Sequence, residues 1–102
     1  MIVDIYITCK DKKDASKIAK ALLLRKLAGC VTIFPIQSMY WWEGTLQTVK
    51  EVAMLVKAPK KNQAAIEKAV KRLHSYTTPC IISFFPAHVN KDYERWINEV
   101  TR

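Results

Sequence analysis

Five side chains of the sequence could bind a soft metal ion. They are three cysteines and two histidines, at Cys9, Cys30, His74, Cys80 and His88. A copper or zinc ion needs two to four thiolate or imidazole donors at about 2.0–2.3 Å. No two of the five have the short spacing of a local zinc motif, which argues against a structural zinc site. His74 and Cys80, six residues apart, are therefore the pair that we predict for a soft metal.

Each of these residues also has a structural interpretation. A free cysteine is usually a small buried hydrophobic residue, and we favour that interpretation for Cys30. Burial raises the pKa of a thiol, so Cys80 is also more simply interpreted as inert. His74 stands at the end of a predicted helix, where an imidazole can cap a carbonyl or line a cleft, and the sequence leaves both alternatives open.

A second candidate site is ionic. Glu51 and Lys57 lie six residues apart on a predicted strand, so their side chains point to the same face. Glu51 can orient a ligand together with Tyr40, Tyr76 or Lys57, or it can form half of an ion pair between subunits. We favour the ion pair, because charges at interfaces mostly set register and specificity.

The sequence contains none of the common catalytic motifs. It has no glycine-rich phosphate loop, no GxSxG elbow and no pair of carboxylates with a histidine between them. We therefore predict that the protein is not an enzyme. A hydrolase would require an activity that depends on pH and is lost when His74 or Glu51 is replaced.

The formal net charge is +8, from 17 Lys and Arg against 9 Asp and Glu. Most basic residues fall on two predicted helices, where we interpret them as solvated faces. They are Lys12, Lys13, Lys17, Lys20, Arg25 and Lys26 on the first helix and Lys60, Lys61, Lys68, Lys71 and Arg72 on the second. No RNA-binding, helix-turn-helix or zinc-finger motif accompanies them, so we expect no specific nucleic-acid partner.

The length of 102 residues predicts a single domain, residues 1–102. No apolar run reaches the roughly 18–20 residues of a membrane span, so we expect no membrane insertion. The N-terminal MIVDIYITCK has no basic region or cleavage site, and the odd number of cysteines argues against a disulfide scaffold. Both features predict a cytoplasmic protein.

Hydrophobic periodicity predicts the order β-α-β-β-α-β followed by a short helix, the order of a ferredoxin-like α+β sandwich. The predicted strands are 2–8, 30–42, 45–56 and 80–85, and the helices are 11–28 and 60–74, with a last helix starting after Asn90. We expect Asp11 or Asp14 to cap the first helix and Gly29 to end it in the left-handed conformation. Pro35 predicts a bulge or an edge position, and CIISFF predicts a central buried strand.

The hairpin formed by residues 30–56 is longer than the usual strand pair. Its tip carries Tyr40, Trp41 and Trp42 before the Glu43-Gly44 turn. Trp41 and Trp42 must point to opposite faces, so at least one should bury against another subunit. We interpret Tyr93 and Trp96, at helical spacing, as core or interface residues.

The segments LLLRKLAGCVTIFPIQSMYWWEG, LHSYTTP and DYERWI, with Glu51 and Lys57 between them, resemble the CutA divalent-cation-tolerance family. The order and spacing match across essentially the whole chain. The resemblance implies a ferredoxin-like homotrimer whose long hairpins wrap neighbouring subunits. It also implies a cytoplasmic role in tolerance of copper and other divalent metals, with no established catalysis.

The trimer implied by the resemblance is similar to that of the PII signalling proteins. An alternative function is therefore a signalling or scaffold trimer that binds a small anionic ligand or an acidic partner. The ligand cleft between subunits would contain Tyr40, Trp42, Glu51, Lys57, His74 and Tyr76, and the trimer interface would contain Tyr40, Trp41, Trp42, Tyr93 and Trp96.

Two departures from the family concern copper. A carboxylate usual near the cleft is replaced by Cys80. The cysteine credited with copper binding in some members corresponds to about Ile7, and Cys9 lies two residues further along the same strand face. Copper or another divalent metal is an expected ligand, although these two positions depart from the family pattern.

Overall fold

The computed structural model describes all residues, Met1–Arg102. Its elements are β1 (Ile2–Cys9), α1 (Lys12–Leu24), β2 (Cys30–Trp42), β3 (Thr45–Pro59), α2 (Gln63–Leu73), β4 (Ile81–Phe84) and α3 (Lys91–Val100). A single 3-10 turn, Lys60–Asn62, precedes α2. The predicted order of strands and helices is confirmed, and both long helices are shorter than predicted.

The four strands form one antiparallel sheet in the order β2-β3-β1-β4. α1 and α2 cover one face, where alternate residues of β1 and β3 meet apolar residues of both helices. The core there includes Ile5, Ile7, Ile18, Leu22, Met54, Val56, Ile66 and Val70. We call the opposite side the open face. The strand register places Asp4, Tyr6, Thr32, Phe34, Leu55, Ile82 and Phe84 on it.

Capping explains both ends of α1. The backbone N–H of Asp14 donates to Asp11 Oδ1 at 2.8 Å, which confirms Asp11 as the N-cap. At the other end Lys26, not Gly29, adopts the left-handed conformation, with φ of 56°. The N–H of Leu27 then donates to the Leu22 carbonyl at 3.0 Å, as in a Schellman motif. The prediction for Gly29 was wrong because the helix ends several residues earlier.

Gly29 lies at a close approach between two elements instead. A Cβ at this position would lie 2.8 Å from Ile97 Cδ1 and 3.0 Å from Val100 Cγ2. The start of β2 therefore runs directly against α3, and α3 covers part of the open face. Asn90 stands at the N-cap position of α3 but makes no side-chain cap bond.

Both edges of the sheet differ from what the local sequence suggests. The prediction of a central buried strand at 80–85 was wrong: β4 is an edge strand, and Ile82 and Phe84 are about half exposed on the open face. An apolar run predicts burial on both sides, but here the second side is left uncovered by this chain. Pro35 lies on the other edge, in β2, and its register with Val52 is uninterrupted, so the edge alternative is the correct one.

The hairpin extends beyond the rest of the sheet. β2 and β3 pair from Cys30↔Lys57 to Trp42↔Thr45, whereas β1 pairs with β3 only as far as Cys9↔Val52. Glu43 and Gly44 join the arms with φ values of 48° and 77°, as a type I′ turn requires. We call the part of the hairpin that β1 does not pair with, residues 36–51, the arm. The chain measures 45 Å in its longest dimension, against 26 and 21 Å in the other two.

Candidate functional site

Glu51 marks the base of the projecting arm, one residue beyond the end of the β1 pairing. Its side chain is on the open face, and the residue is only 7% exposed. The hydroxyl of Tyr76 donates to Glu51 Oε2 at 2.7 Å. Burial, and next the hydrogen bond to Glu51, raise the pKa of Tyr76 far above its ordinary value. Tyr76 is therefore a neutral phenol that anchors a buried carboxylate.

His74 holds the segment that carries Tyr76. Its Nε2 lies 2.6 Å from the carbonyl oxygen of Thr8, which can only accept, so Nε2 carries the proton. Its Nδ1 accepts the backbone N–H of Tyr76 at 3.0 Å. The ring is buried, and both nitrogens are used inside the chain. A metal at His74 would have to displace one of these hydrogen bonds.

Cys80 also approaches Thr8, at its side chain. Burial is the main cause that raises the pKa of its thiol; a hydrogen bond with the Thr8 side chain opposes this, and the Glu51 carboxylate adds to it. The thiol is therefore neutral at ordinary pH. We call Glu51, His74, Tyr76 and Cys80 the Glu51 cluster, because Tyr76 joins Glu51 to His74, and both His74 and Cys80 approach Thr8 at the base of the arm.

Lys57 does not reach this cluster within the chain. Six residues along a strand correspond to about 20 Å, so Glu51 and Lys57 cannot pair in one subunit. Lys57 Nζ instead donates to Thr32 Oγ1, and the strand register places it opposite Asp4. A pair between subunits stays a prediction.

Asp4 is a polar residue of this region that the sequence analysis did not select. Its Oδ1 is buried without a hydrogen-bond partner. Burial raises the pKa of Asp4, and Lys57 only partly offsets the increase. A carboxylate inside the apolar run of β1 was the available sequence signal.

The hairpin tip exposes large aromatic residues on both sides. Trp41 is 72% exposed on the side of the helices, and Trp42 is 48% exposed on the open face together with Tyr40. Their opposite orientation is as predicted. Tyr40 contributes to the raised pKa of Tyr76, after burial and Glu51, so it lies near the cluster, whereas Trp42 is further out at the turn.

The remaining predicted residues lie elsewhere. Tyr93 and Trp96 pack with ring centroids 5.8 Å apart on α3, and Trp96 is partly exposed. Burial, and then a hydrogen bond with Cys30, raise the pKa of Tyr93 to about 12. Their place in a trimer interface stays a prediction.

No group of three or more His, Cys, Asp or Glu side chains in the chain could hold a metal ion. Cys9 is fully buried on the side of the helices, and burial, more than nearby carboxylates, raises its pKa to about 12. His88 lies in the exposed loop after β4. Of the five candidate donors, only His74 and Cys80 belong to one cluster.

No helix of the structure is both long enough and apolar enough to cross a membrane.

Comparison with known proteins gives one consistent result. A profile of the family described as CutA1 divalent ion tolerance protein matches residues 3–100. The divalent-cation tolerance protein CutA of Archaeoglobus fulgidus is 46% identical over 95 residues, which cover 93% of each chain. The protein of the same name from Pyrococcus horikoshii is 33% identical over 101 residues, 99% of each chain.

A solved structure extends the match to three dimensions. The structure of the periplasmic divalent cation tolerance protein CutA from Archaeoglobus fulgidus superimposes with a TM-score of 0.97 at 44% identity, over the full length of both chains.

Proposed function

This chain belongs to the CutA1 divalent ion tolerance family, and from that membership we propose that it acts in metal tolerance as a homotrimer that binds a metal ion, copper first, without catalysing a reaction. The observation that carries the proposal is the Glu51 cluster: a buried carboxylate and a thiol at the base of an arm that extends beyond its own sheet.

The edges and the open face support assembly. The arm of β3 from Thr45 to Glu51 is hydrogen-bonded to β2 on one side and to nothing on the other. Unpaired strand edges are templates for pairing with another chain. Half-exposed Ile82, Phe84 and Trp42 add an apolar surface of the kind that marks an interface. In a trimer the arm would carry Tyr40 and Trp42 towards a neighbour, and Lys57 of one subunit would face Glu51 of another.

The donor chemistry supports a metal that is shared between subunits. Cys80 supplies a soft ligand, and Glu51 lies close enough to affect its pKa. Both nitrogens of His74 are already used, and one chain offers no set of three donors. We therefore propose that Cys80 is the first ligand, that a rotated His74 or Glu51 is the second, and that a neighbouring subunit completes the site.

Copper(I) binding by paired cysteine variants tests this site. Cys80→Ser should weaken Cu(I) affinity at least about tenfold, because a hydroxyl is a poor soft-metal ligand. Cys30→Ser is the matched control and should bind as the parent protein does. Native mass spectrometry before and after chelation should show a trimer that loses a whole number of metal ions. Unchanged Cu(I) affinity in Cys80→Ser would refute the site, and a monomer would refute the assembly.

A second candidate function is that of a PII-like trimer that binds a small anionic ligand in its clefts. The observation in favour is Lys57, a cation on the open face whose only hydrogen-bond partner is a hydroxyl. A trimer without metal, with phosphorylated ligands bound in a salt-sensitive manner, would favour this candidate over soft-metal ligation.

We also propose a cytoplasmic location, which the three free cysteines support. The relative from Archaeoglobus fulgidus whose structure is solved is described as periplasmic. Cell fractionation with an antibody against the native protein decides between the two compartments.

A further inference from the structure

The net charge of the chain is confined to one layer. We call residues 11–26 and 60–74, which contain α1, α2 and their flanking turns, the helical layer. It holds 11 of the 17 basic residues and 3 of the 9 acidic residues. The remainder of the chain therefore contains six of each sign and is neutral. The helical layer thus carries the whole formal charge of +8, and its helices α1 and α2 pack on the face of the sheet opposite to the open face.

These cations are not neutralised within the chain. All eleven are exposed, and only Lys71 has an acidic partner, Glu67, at 3.3 Å. The other two carboxylates of the layer are used locally: Asp11 caps α1, and the buried Asp14 accepts the hydroxyl of Ser75 at 3.0 Å. Ten positive side chains are thus exposed without a carboxylate partner, and one of them, Lys60, lies over the ring of Phe85 at 5.1 Å from its centroid.

Their spacing is also unfavourable for the isolated chain. Lys13, Lys17 and Lys20 are neighbours three and four residues apart on α1, and Lys68 and Arg72 are four apart on α2. Like charges at these spacings destabilise a helix. Lys12 and Lys13 also stand in the first turn of α1, where the helix dipole disfavours cations. A solvated helix face usually alternates positive and negative side chains. Here the positive side chains repel one another, and a partner with closely spaced negative charges would reduce that repulsion.

We propose that the helical layer docks the phosphate backbone of duplex nucleic acid without reading its sequence. The charges extend along α1 for about 20 Å, which suits a polyanion better than a single small anion. The layer contains no Phe, Tyr or Trp on which unpaired bases could stack. It exposes only Leu23 and Leu24 as large apolar side chains, too few to enter a lipid surface along its length.

The surface is independent of the proposed trimer and metal site. Assembly through the open face would leave the helical layer outside, so binding of duplex does not require Cys80 or Glu51 to have a role.

Most of the cations are lysines. The lysine ammonium is a compact charge, unlike the planar guanidinium of arginine, and it can contact phosphate in many orientations.

Fluorescence anisotropy with two labelled DNA duplexes of unrelated sequence tests the proposal. Both should bind with equal affinity, and affinity should fall steeply between about 50 and 200 mM salt, with a log–log slope of about −0.9 for each phosphate contacted. The variant K17Q/K20Q/K68Q should lose at least about tenfold in affinity at low salt, and its slope should decrease in magnitude by up to about 3.

The matched control is K50Q/K91Q/R102Q, which removes the same charge from the neutral remainder of the chain and should change affinity by less than about threefold. Equal losses in the two variants would overturn the proposal, because they would reflect net charge alone. So would an absence of duplex binding at low salt, or tighter binding to vesicles of phosphatidylserine and phosphatidylcholine than to duplex.

Discussion

His74 is a residue whose chemistry is set by its partners rather than by its type. Histidine is commonly a metal ligand or a proton carrier. Here the carbonyl of Thr8 and the N–H of Tyr76 occupy both ring nitrogens. The ring therefore joins the end of α2 to β1 and positions Tyr76 over Glu51.

Replacement of His74 by alanine tests this role. The change leaves a buried carbonyl and a buried N–H without partners, so the free energy of unfolding should fall by about 2–4 kcal/mol. Denaturant unfolding measures it. His88→Ala is the control, since His88 is exposed, and should change the free energy of unfolding by less than about 0.5 kcal/mol. Equal effects of the two variants would contradict the structural role.

Asp4 should make stability depend on pH. Its pKa in the folded protein is raised from the ordinary 3.8, so the folded state binds the proton more tightly than the unfolded state does. The free energy of unfolding therefore falls as the pH rises from 3.8 through the pKa of Asp4 in the folded protein. Above that pKa the loss of stability is complete.

Asp4→Asn should accordingly stabilise the protein at neutral pH, and the gain should disappear as the pH falls towards 3.8. Thermal melting between acidic and neutral pH measures this. Asp92→Asn, at an exposed position, is the control and should not stabilise the protein at neutral pH. A variant less stable than the parent at neutral pH would show instead that the Asp4 carboxylate gains a donor on assembly.

At the scale of the elements, the residue just before β2 lies very close to α3. Gly29 lets the strand start against Ile97 and Val100, and a larger residue fits only if these two side chains shift. α3 packs on the sheet through Ile97, which is fully buried.

Gly29→Ala should therefore lower the free energy of unfolding by about 1–3 kcal/mol, the usual cost of overpacking. Hydrogen exchange should show that the loss of protection is concentrated in α3. The double variant Gly29→Ala/Ile97→Val, which removes the methyl group in contact, should recover part of the stability. A fully stable single variant would mean that α3 docks less closely than the structure shows.

For the whole molecule, the open face and the hairpin arm raise the question of assembly. Trp42 lies on the open face near the end of the arm, about half exposed in the single chain. If the arm wraps a neighbour, this indole is buried there and contributes to the interface as aromatic anchors do.

Trp42→Ala should thus shift the proposed trimer towards smaller species at low micromolar concentration, as measured by analytical ultracentrifugation. Leu24→Ala removes an apolar side chain that is 83% exposed on the helical layer and should leave the assembly intact. An unchanged trimer in the Trp42 variant would show that the arm is not the main contact.

The sequence by itself determined what depends on near neighbours. The alternation of β1, the helical period of α1 and α2, the Asp11 cap and the turn at Glu43-Gly44 each involve residues a few positions apart, and each was predicted correctly. The exposed pair Trp41 and Trp42 on opposite faces follows from the same two-residue period.

Only the tertiary structure decided what depends on residues distant in the sequence. It placed the apolar β4 at an edge, assigned Gly29 to a contact with α3, and brought Glu51, His74, Tyr76 and Cys80 around Thr8. It also placed the Lys57 ammonium against the hydroxyl of Thr32. The physical reason is that periodicity shows which side of an element is apolar, whereas the order of strands and the long-range hydrogen bonds determine what that side meets.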